Sequence, residues 1–226
     1  MSRPDPGAAP GRPGVAAFDF DGTLTGRDTL VPFLRRACGL GPIVRAAIAA
    51  RRAPGRDAFK VVLIGELFRG WPAERLDSLG LSYVPALLAR LRPGAVERLA
   101  WHRRQGHAVV IVSASLGAYL RPLAERLELD GALAVELVAD GGGALTGEVV
   151  GGLNNRGPEK VARLRAWLDA RYGPGTEVEL WAYGDSPGDA ELLATADHST
   201  WVGRRPREPS GASDVFALDL KPTLEA

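Results

Sequence analysis

The chain has 226 residues, 46% of them hydrophobic, and a formal net charge of +1. That is enough apolar material for one α/β domain, or for a core with a small inserted domain, and the near-neutral balance argues against general attraction to nucleic acid or anionic lipid. A single cysteine, Cys38, excludes an internal disulfide or an all-cysteine metal site and points to a reducing, cytoplasmic compartment; no apolar run is long enough to span a membrane.

Residues 1–14 are rich in proline and glycine with no apolar stretch, which predicts a disordered tail and not a signal peptide. Residues 15–20 read as a short buried strand at the centre of a parallel sheet, since no polar residue compensates its apolar flanks. Its end carries Asp19 and Asp21, followed by Gly22 and Thr23. Helical patterns come next. Leu30, Phe33 and Leu34 share one face, 43–52 is apolar and basic, and Phe59, Leu63 and Leu67 recur at four-residue spacing within 57–68. A last helical stretch runs over 73–91. Roughly seventy residues of helix are too many for an ordinary crossover, so 25–91 is expected to form a small all-helical cap.

Pro93 opens a helix over 93–104. Residues 109–112 form a second strand, ended by Ser113, Ala114 and Ser115, and a helix follows over 116–127, with Ser115 as its N-cap. Residues 133–138 and 144–149 are expected to pair as a hairpin around Gly141, Gly142 and Gly143. A helix over 159–171, a strand over 178–183, a short helix over 190–194 and a strand over 199–202 complete the pattern, with a marginal edge element over 215–218. The alternation predicts a Rossmann-like three-layer α/β/α core with a mostly parallel sheet, built from 15–24 and 92–226. Ligands in such sheets bind beyond the carboxyl ends of the strands, and Asp19, Asp21, Ser113 and Asp185 all fall at that edge.

These residue types suit one chemistry. A carboxylate such as Asp19 can attack phosphorus, and Asp21, two residues on, can protonate a leaving alcohol and then activate water. The pair alone reads equally well as a strand-end turn. Asp185 and Asp189 form a second acidic pair, and an all-oxygen site suits a hard cation such as magnesium; Asp189 is also placed to cap the helix that follows it. Lys160 sits in the first turn of a helix, where a cation opposes the helix dipole unless it faces an anion; a solvated surface lysine is the lesser reading of it alone. His102, His107 and His198 lack metal-ligand spacing, and the scattered tryptophans lack the basic interleaving of a nucleic-acid platform.

Taken together, Asp19-Phe20-Asp21-Gly22-Thr23, the strand ending in Ser113, Lys160 and the Asp185/Asp189 loop occur in the order that marks the haloacid-dehalogenase-like phosphohydrolases. The chain resembles that superfamily from residue 15 to about residue 203, and within it the phosphoserine-phosphatase-like branch with a helical cap. It looks most like the bacterial phosphoserine-phosphatase-related hydrolases, a cell-division-associated group among them. The resemblance implies a magnesium-dependent phosphatase acting on a small phosphomonoester through an aspartyl-phosphate, phosphoserine or a related metabolite being the substrate class. It implies Asp19 as nucleophile and Asp21 as acid and base. Gly22, Thr23, Ser113, Ala114 and Lys160 would bind phosphate, and Asp19, Asp21 and Asp185 would hold the metal with support from Asp189. Asp28 stands where a substrate-binding glutamate is expected, and Arg56 and Lys60 in the cap are placed for a substrate carboxylate or second phosphate. Ser113-Ala114-Ser115 replaces the usual Ser-Gly-Gly, and Gly188 replaces the usual asparagine; both changes count against serine specificity, not against hydrolysis. A phosphotransferase using the same intermediate, and a non-catalytic binding or regulatory protein, are the competing readings. No nucleic-acid partner and no stable membrane insertion are expected, and the sequence leaves the oligomeric state open.

Overall fold

Five parallel strands form one sheet in a computed structural model that describes residues 11–203. Strand β1 (Gly14–Phe18) lies at its centre, between β2 (Ala108–Leu116) and β6 (Glu179–Gly184). The outer strands are β3 (Gly131–Val135), beside β2, and β7 (His198–Trp201), beside β6. Val15 to Phe18 are fully buried on both faces, as an uninterrupted apolar strand requires. Side-chain alternation splits them between two layers. Ala16, Phe18, Val109 and Ile111 pack with α5 (Pro93–Arg104), α6 (Gly117–Arg126) and the inserted helices. Val15, Ala17, Val110 and Val112 face Leu164 of α7 (Pro158–Tyr172) and Leu192 and Leu193 of α8 (Ala190–Ala194). The result is the three-layer α/β/α architecture with a parallel main sheet.

Four helices are inserted between β1 and α5: α1 (Leu30–Cys38), α2 (Leu40–Ala50), α3 (Gly55–Phe68) and α4 (Ala73–Leu88). Phe33, Ile64, Phe68, Tyr83 and Leu87 from these helices join the same apolar cluster as the sheet. Gly80 of α4 lies so close to α6 that a Cβ would come within 1.9 Å of the Ala118 carbonyl oxygen. Among the described residues, no helix is long and apolar enough to cross a membrane.

The segment expected to be one arm of a hairpin divides in two. Residues Gly131–Val135 join the main sheet as β3, and only β4 (Leu137–Ala139) pairs with β5 (Leu145–Val149). The break falls at Glu136, whose carboxylate pairs with Arg121 and lies where a side chain at Gly117 would go. The hairpin rests on the inserted helices. Gly70 N–H donates to the Leu145 carbonyl at 2.7 Å, and Leu145 N–H donates to the Trp71 carbonyl at 2.8 Å. Ordered structure also starts earlier than expected, since Glu179 N–H donates to the Pro13 carbonyl at 2.9 Å and Gly14 is already in register with Glu179. The edge element expected over 215–218 lies outside the described residues, as do residues 1–10 of the expected tail.

Candidate active site

The carboxyl ends of β1, β2 and β6 deliver Asp19, Ser113 and Asp185 to one edge of the sheet. The Asp19 amide donates to the Tyr183 carbonyl at 2.9 Å, one rung past the end of β1, so the ladder itself fixes the backbone of that residue. Lys160 enters from the first turn of α7 and is buried. Its Nζ donates to Asp19 Oδ1 at 2.6 Å and to Asp189 Oδ1 at 2.5 Å. The anion that a first-turn lysine needs is this pair of carboxylates. Burial opposes the charge on Lys160, but the two carboxylates outweigh it and hold the ammonium above its ordinary value.

Asp19, Asp185 and Asp189 bring carboxylate oxygens within 4.8 Å of one another. Burial pushes Asp19 up to about 8, against the pull of Lys160 and helped by the charge on Asp189. Burial and Asp189 likewise push Asp185 up to about 6. Such convergence suits a hard divalent cation, which the all-oxygen donor set fits. Gly22, at φ 98°, makes room for it: a Cβ there would come within 2.0 Å of Asp185 Oδ2. Asp189 is a brace, and its expected role as a helix cap is only partly met. It occupies the N-cap position of α8 without a side-chain bond to that helix. Its Oδ2 accepts instead from Ser186 N–H at 3.0 Å and Ser186 Oγ at 2.7 Å.

Asp21 points elsewhere. Its Oδ1 accepts from both the amide and the hydroxyl of Thr29 at 2.7 Å, and its Oδ2 accepts from Ser115 Oγ at 2.5 Å. Its carboxylate is therefore not among the three whose oxygens converge. Burial raises its pKa, and the Ser115 and Thr29 hydrogen bonds oppose that rise. Ser115 is not the expected N-cap. Strand β2 continues through it to Leu116, and α6 starts at Gly117 without a side-chain cap. Thr29 itself is buried, with its hydroxyl 3.5 Å from the Tyr119 hydroxyl and its carbonyl accepting from Tyr83 at 3.3 Å. Neither the Thr29 contact nor the Ser115 contact was signalled in the sequence, because 8 and 94 residues separate the partners from Asp21.

A cavity of about 410 Å³ opens over these groups. Asp19, Asp21, Gly22, Ser113, Ala114, Lys160, Asp185 and Asp189 line it from the core, and Asp28, Arg56 and Lys60 from the cap side. Thr23 is buried behind it, its hydroxyl 3.4 Å from Asp185 Oδ1. Asp28 also caps α1, accepting from Val31 N–H at 3.0 Å. Lys60 is half-buried, and desolvation lowers its pKa against the pull of Asp21 and Asp28. A larger cavity, about 500 Å³, lies among the cap helices near Cys38, Arg45 and Trp71, but it holds one carboxylate, Glu66, and none of the strand-end residues.

The loop before α7 supplies three residues that spacing did not reveal. Asn155 donates to the Ser113 carbonyl at 3.0 Å and to the Leu133 carbonyl at 2.6 Å, tying the end of β2 to β3. Asn154 donates to Asp57 Oδ1 of the cap at 2.7 Å. Arg156 lies against Gly188, where a Cβ would come within 2.5 Å of its Nε, so the glycine makes room for the arginine.

The family model for haloacid dehalogenase-like hydrolases matches residues 16–194, most of the chain. The chain belongs to that family. Among curated relatives, Protein CicA of Caulobacter vibrioides is 33% identical over 203 residues, covering 87% of this chain and 89% of its own. Among solved structures, a protein of unknown function from Bordetella pertussis Tohama I superposes with a TM-score of 0.70 at 20% identity, over 86% of this chain and 92% of that one. A probable phosphoserine phosphatase from Vibrio cholerae superposes with a TM-score of 0.65 at 20% identity, over 91% of this chain and 60% of that one. These two likenesses establish the fold; the family match makes the chain a haloacid dehalogenase-like enzyme, with its acidic cluster at the edge where such sheets bind ligands.

Proposed function

We propose that this hydrolase is a magnesium-dependent phosphomonoesterase of the cytoplasm that works through an aspartyl-phosphate on Asp19. The observation that carries the reading is Lys160, buried between Asp19 and Asp189 at the floor of a polar cavity. In the first step an Asp19 oxygen attacks phosphorus, the bond from phosphorus to the alkoxy oxygen breaks, and Asp21 gives its proton to the departing oxygen. In the second step Asp21 takes a proton from water as that water attacks phosphorus, and the bond from phosphorus to Asp19 breaks, releasing inorganic phosphate. Gly22, Ser113, Ala114 and Lys160 would surround the phosphoryl group, with Thr23 supporting them from behind through Asp185. Asp19 and Asp185 would hold magnesium with Asp189 bracing them; bound there, the ion would neutralise charge between phosphate and carboxylate.

The core, 15–24 and 92 onward, carries this chemistry, and the cap, 25–91, selects the substrate. Arg56 and Lys60 favour a substrate with a second anionic group, phosphoserine or a related metabolite, and Asp28 can meet an ammonium with the carboxylate oxygen not committed to α1. Purified protein incubated with magnesium and a panel of phosphorylated metabolites should release inorganic phosphate, and chelation should stop it. Release from no compound would overturn the reading. Phosphorylated acceptor in place of free phosphate would assign it to transfer.

A further inference from the structure

The second cap helix carries an apolar stripe that none of the described residues covers. Leu40, Val44 and Ile48 recur at four-residue spacing on α2, and they are 59%, 56% and 52% exposed. The opposite side of the same helix buries Ala46 and Ala50. Large aliphatic side chains left in water along one helical face mark a contact surface.

The charge around the stripe is one-sided. Residues 29–56 contain Arg35, Arg36, Arg45, Arg51, Arg52 and Arg56 and no aspartate or glutamate. The +1 of the whole chain less the +6 of this segment leaves −5 elsewhere, so overall net charge conceals a strongly cationic region. Arg45 adjoins Val44, and Arg51 and Arg52 directly follow the helix; all three are exposed. An exposed aliphatic stripe flanked by arginines is the pattern of a helix that lies in the headgroup layer of a membrane. We propose that this face of α2 docks on an anionic lipid bilayer.

Charge and shape decide among occupants. A second copy of the chain would bring Arg45, Arg51 and Arg52 against the same three arginines across a two-fold axis, which like charge does not favour. A protein partner forms its strong contacts through aromatic anchors seated in pockets, whereas Leu40, Val44 and Ile48 are aliphatic and line neither the cavity beside Arg45 nor the catalytic one. A bilayer needs no pocket, and its anionic headgroups complement the arginines. Docking would also hold the catalytic cavity near the bilayer, because Arg56 lines that cavity and the chain from Arg52 to Arg56 spans at most about 15 Å.

The test is co-sedimentation of the full 226-residue chain with vesicles of phosphatidylcholine alone and vesicles rich in phosphatidylglycerol, in low and high salt. Binding is expected to the anionic vesicles only and to weaken with salt. Replacing Leu40, Val44 and Ile48 together by serine should abolish it. Arg45→Gln, Arg51→Gln and Arg52→Gln should each weaken it by about fivefold. Circular dichroism checks folding, and Ile48→Ser alone serves if the triple variant does not fold. A chain that stays in the supernatant overturns the proposal and leaves an acidic protein as the partner the charge selects. Equal binding to neutral vesicles, or no response to either set of variants, also overturns it. A dimer in sedimentation velocity that the triple variant dissolves would assign the face to a second copy instead.

Discussion

Asp21 is held by three donors, and in the proposed mechanism those donors decide how well it can trade a proton. Thr29 and Ser115 fix both of its oxygens, so removing either hydroxyl should leave the carboxylate mispositioned without disturbing Asp19. Ser115→Ala and Thr29→Val are each expected to lower kcat by about ten- to a hundredfold, a part of what general acid–base catalysis contributes. KM should change little. The loss should be greater for alkyl phosphates than for aryl phosphates, whose leaving oxygen needs less protonation; equal losses on both would assign these residues a merely structural role. Gly22 is a second point of control. Gly22→Ala combines a φ of 98° with a Cβ 2.0 Å from Asp185 Oδ2, and it should weaken magnesium dependence and activity together, as a magnesium titration of phosphate release would reveal. At this scale the sequence was informative where several short motifs occur together in a set order. Asp19, Asp21, Ser113, Lys160 and the Asp185/Asp189 loop stood out that way, and the structure brings them to one cavity. Ser115 could not, because its partner lies 94 residues away and a serine before a helix reads locally as a cap.

Between elements, the tightest approach of cap to core is α4 on α6. Gly80→Ala would push a Cβ against the backbone of Ala118, which cannot rotate away. The variant should lose about 1–3 kcal/mol of stability, measured by urea unfolding, or shift the cap and raise KM. Gly41→Ala, on exposed α2 with nothing within 4 Å of the new Cβ, should be close to neutral. The cap helices were legible because a helix packed on one side writes its period into the sequence, as Phe59, Leu63 and Leu67 do. The hairpin was legible only in part, since β4 does pair with β5 but residues 133–135 go to β2. Residues 131–139 are apolar throughout except for Glu136, and a short apolar run does not state which sheet it joins. Tertiary pairing decided that β3 goes to β2 and β4 to β5. Strand β2 runs further than its sequence suggests for a related reason, since Ser113 and Ser115 resemble a strand end and are instead part of the strand.

For the molecule as a whole, one source of lost stability in acid is a buried histidine. His102 is fully buried in a cluster of rings, its Nε2 2.8 Å from the Tyr183 hydroxyl and its Nδ1 2.9 Å from His107 Nδ1. Burial lowers its pKa from 6.5 to about 3. The unfolded chain therefore binds a proton that the folded chain refuses. This contribution to stability is full above 6.5, declines as the pH falls, and is gone once the pH reaches about 3. The slope approaches about 1.4 kcal/mol per pH unit at most. His102→Gln should be less stable at neutral pH and should show a shallower acid limb when unfolding is followed across that window. Cap and core are joined beside the site. Asn154 and Arg156 tie the α7 loop to Asp57 of the cap, and Thr29 ties α1 to Asp21. The central claim is that Asp19 takes the phosphoryl group while Asp21 only moves protons. Rapid-quench labelling with an aryl phosphate tests it most directly, using the wild type, Asp19→Asn and Asp21→Asn, with the labelled residue mapped by peptide sequencing. Label on Asp19, more of it accumulating in Asp21→Asn and none in Asp19→Asn, is the expected result; label on Asp21, or undiminished label in Asp19→Asn, would contradict it.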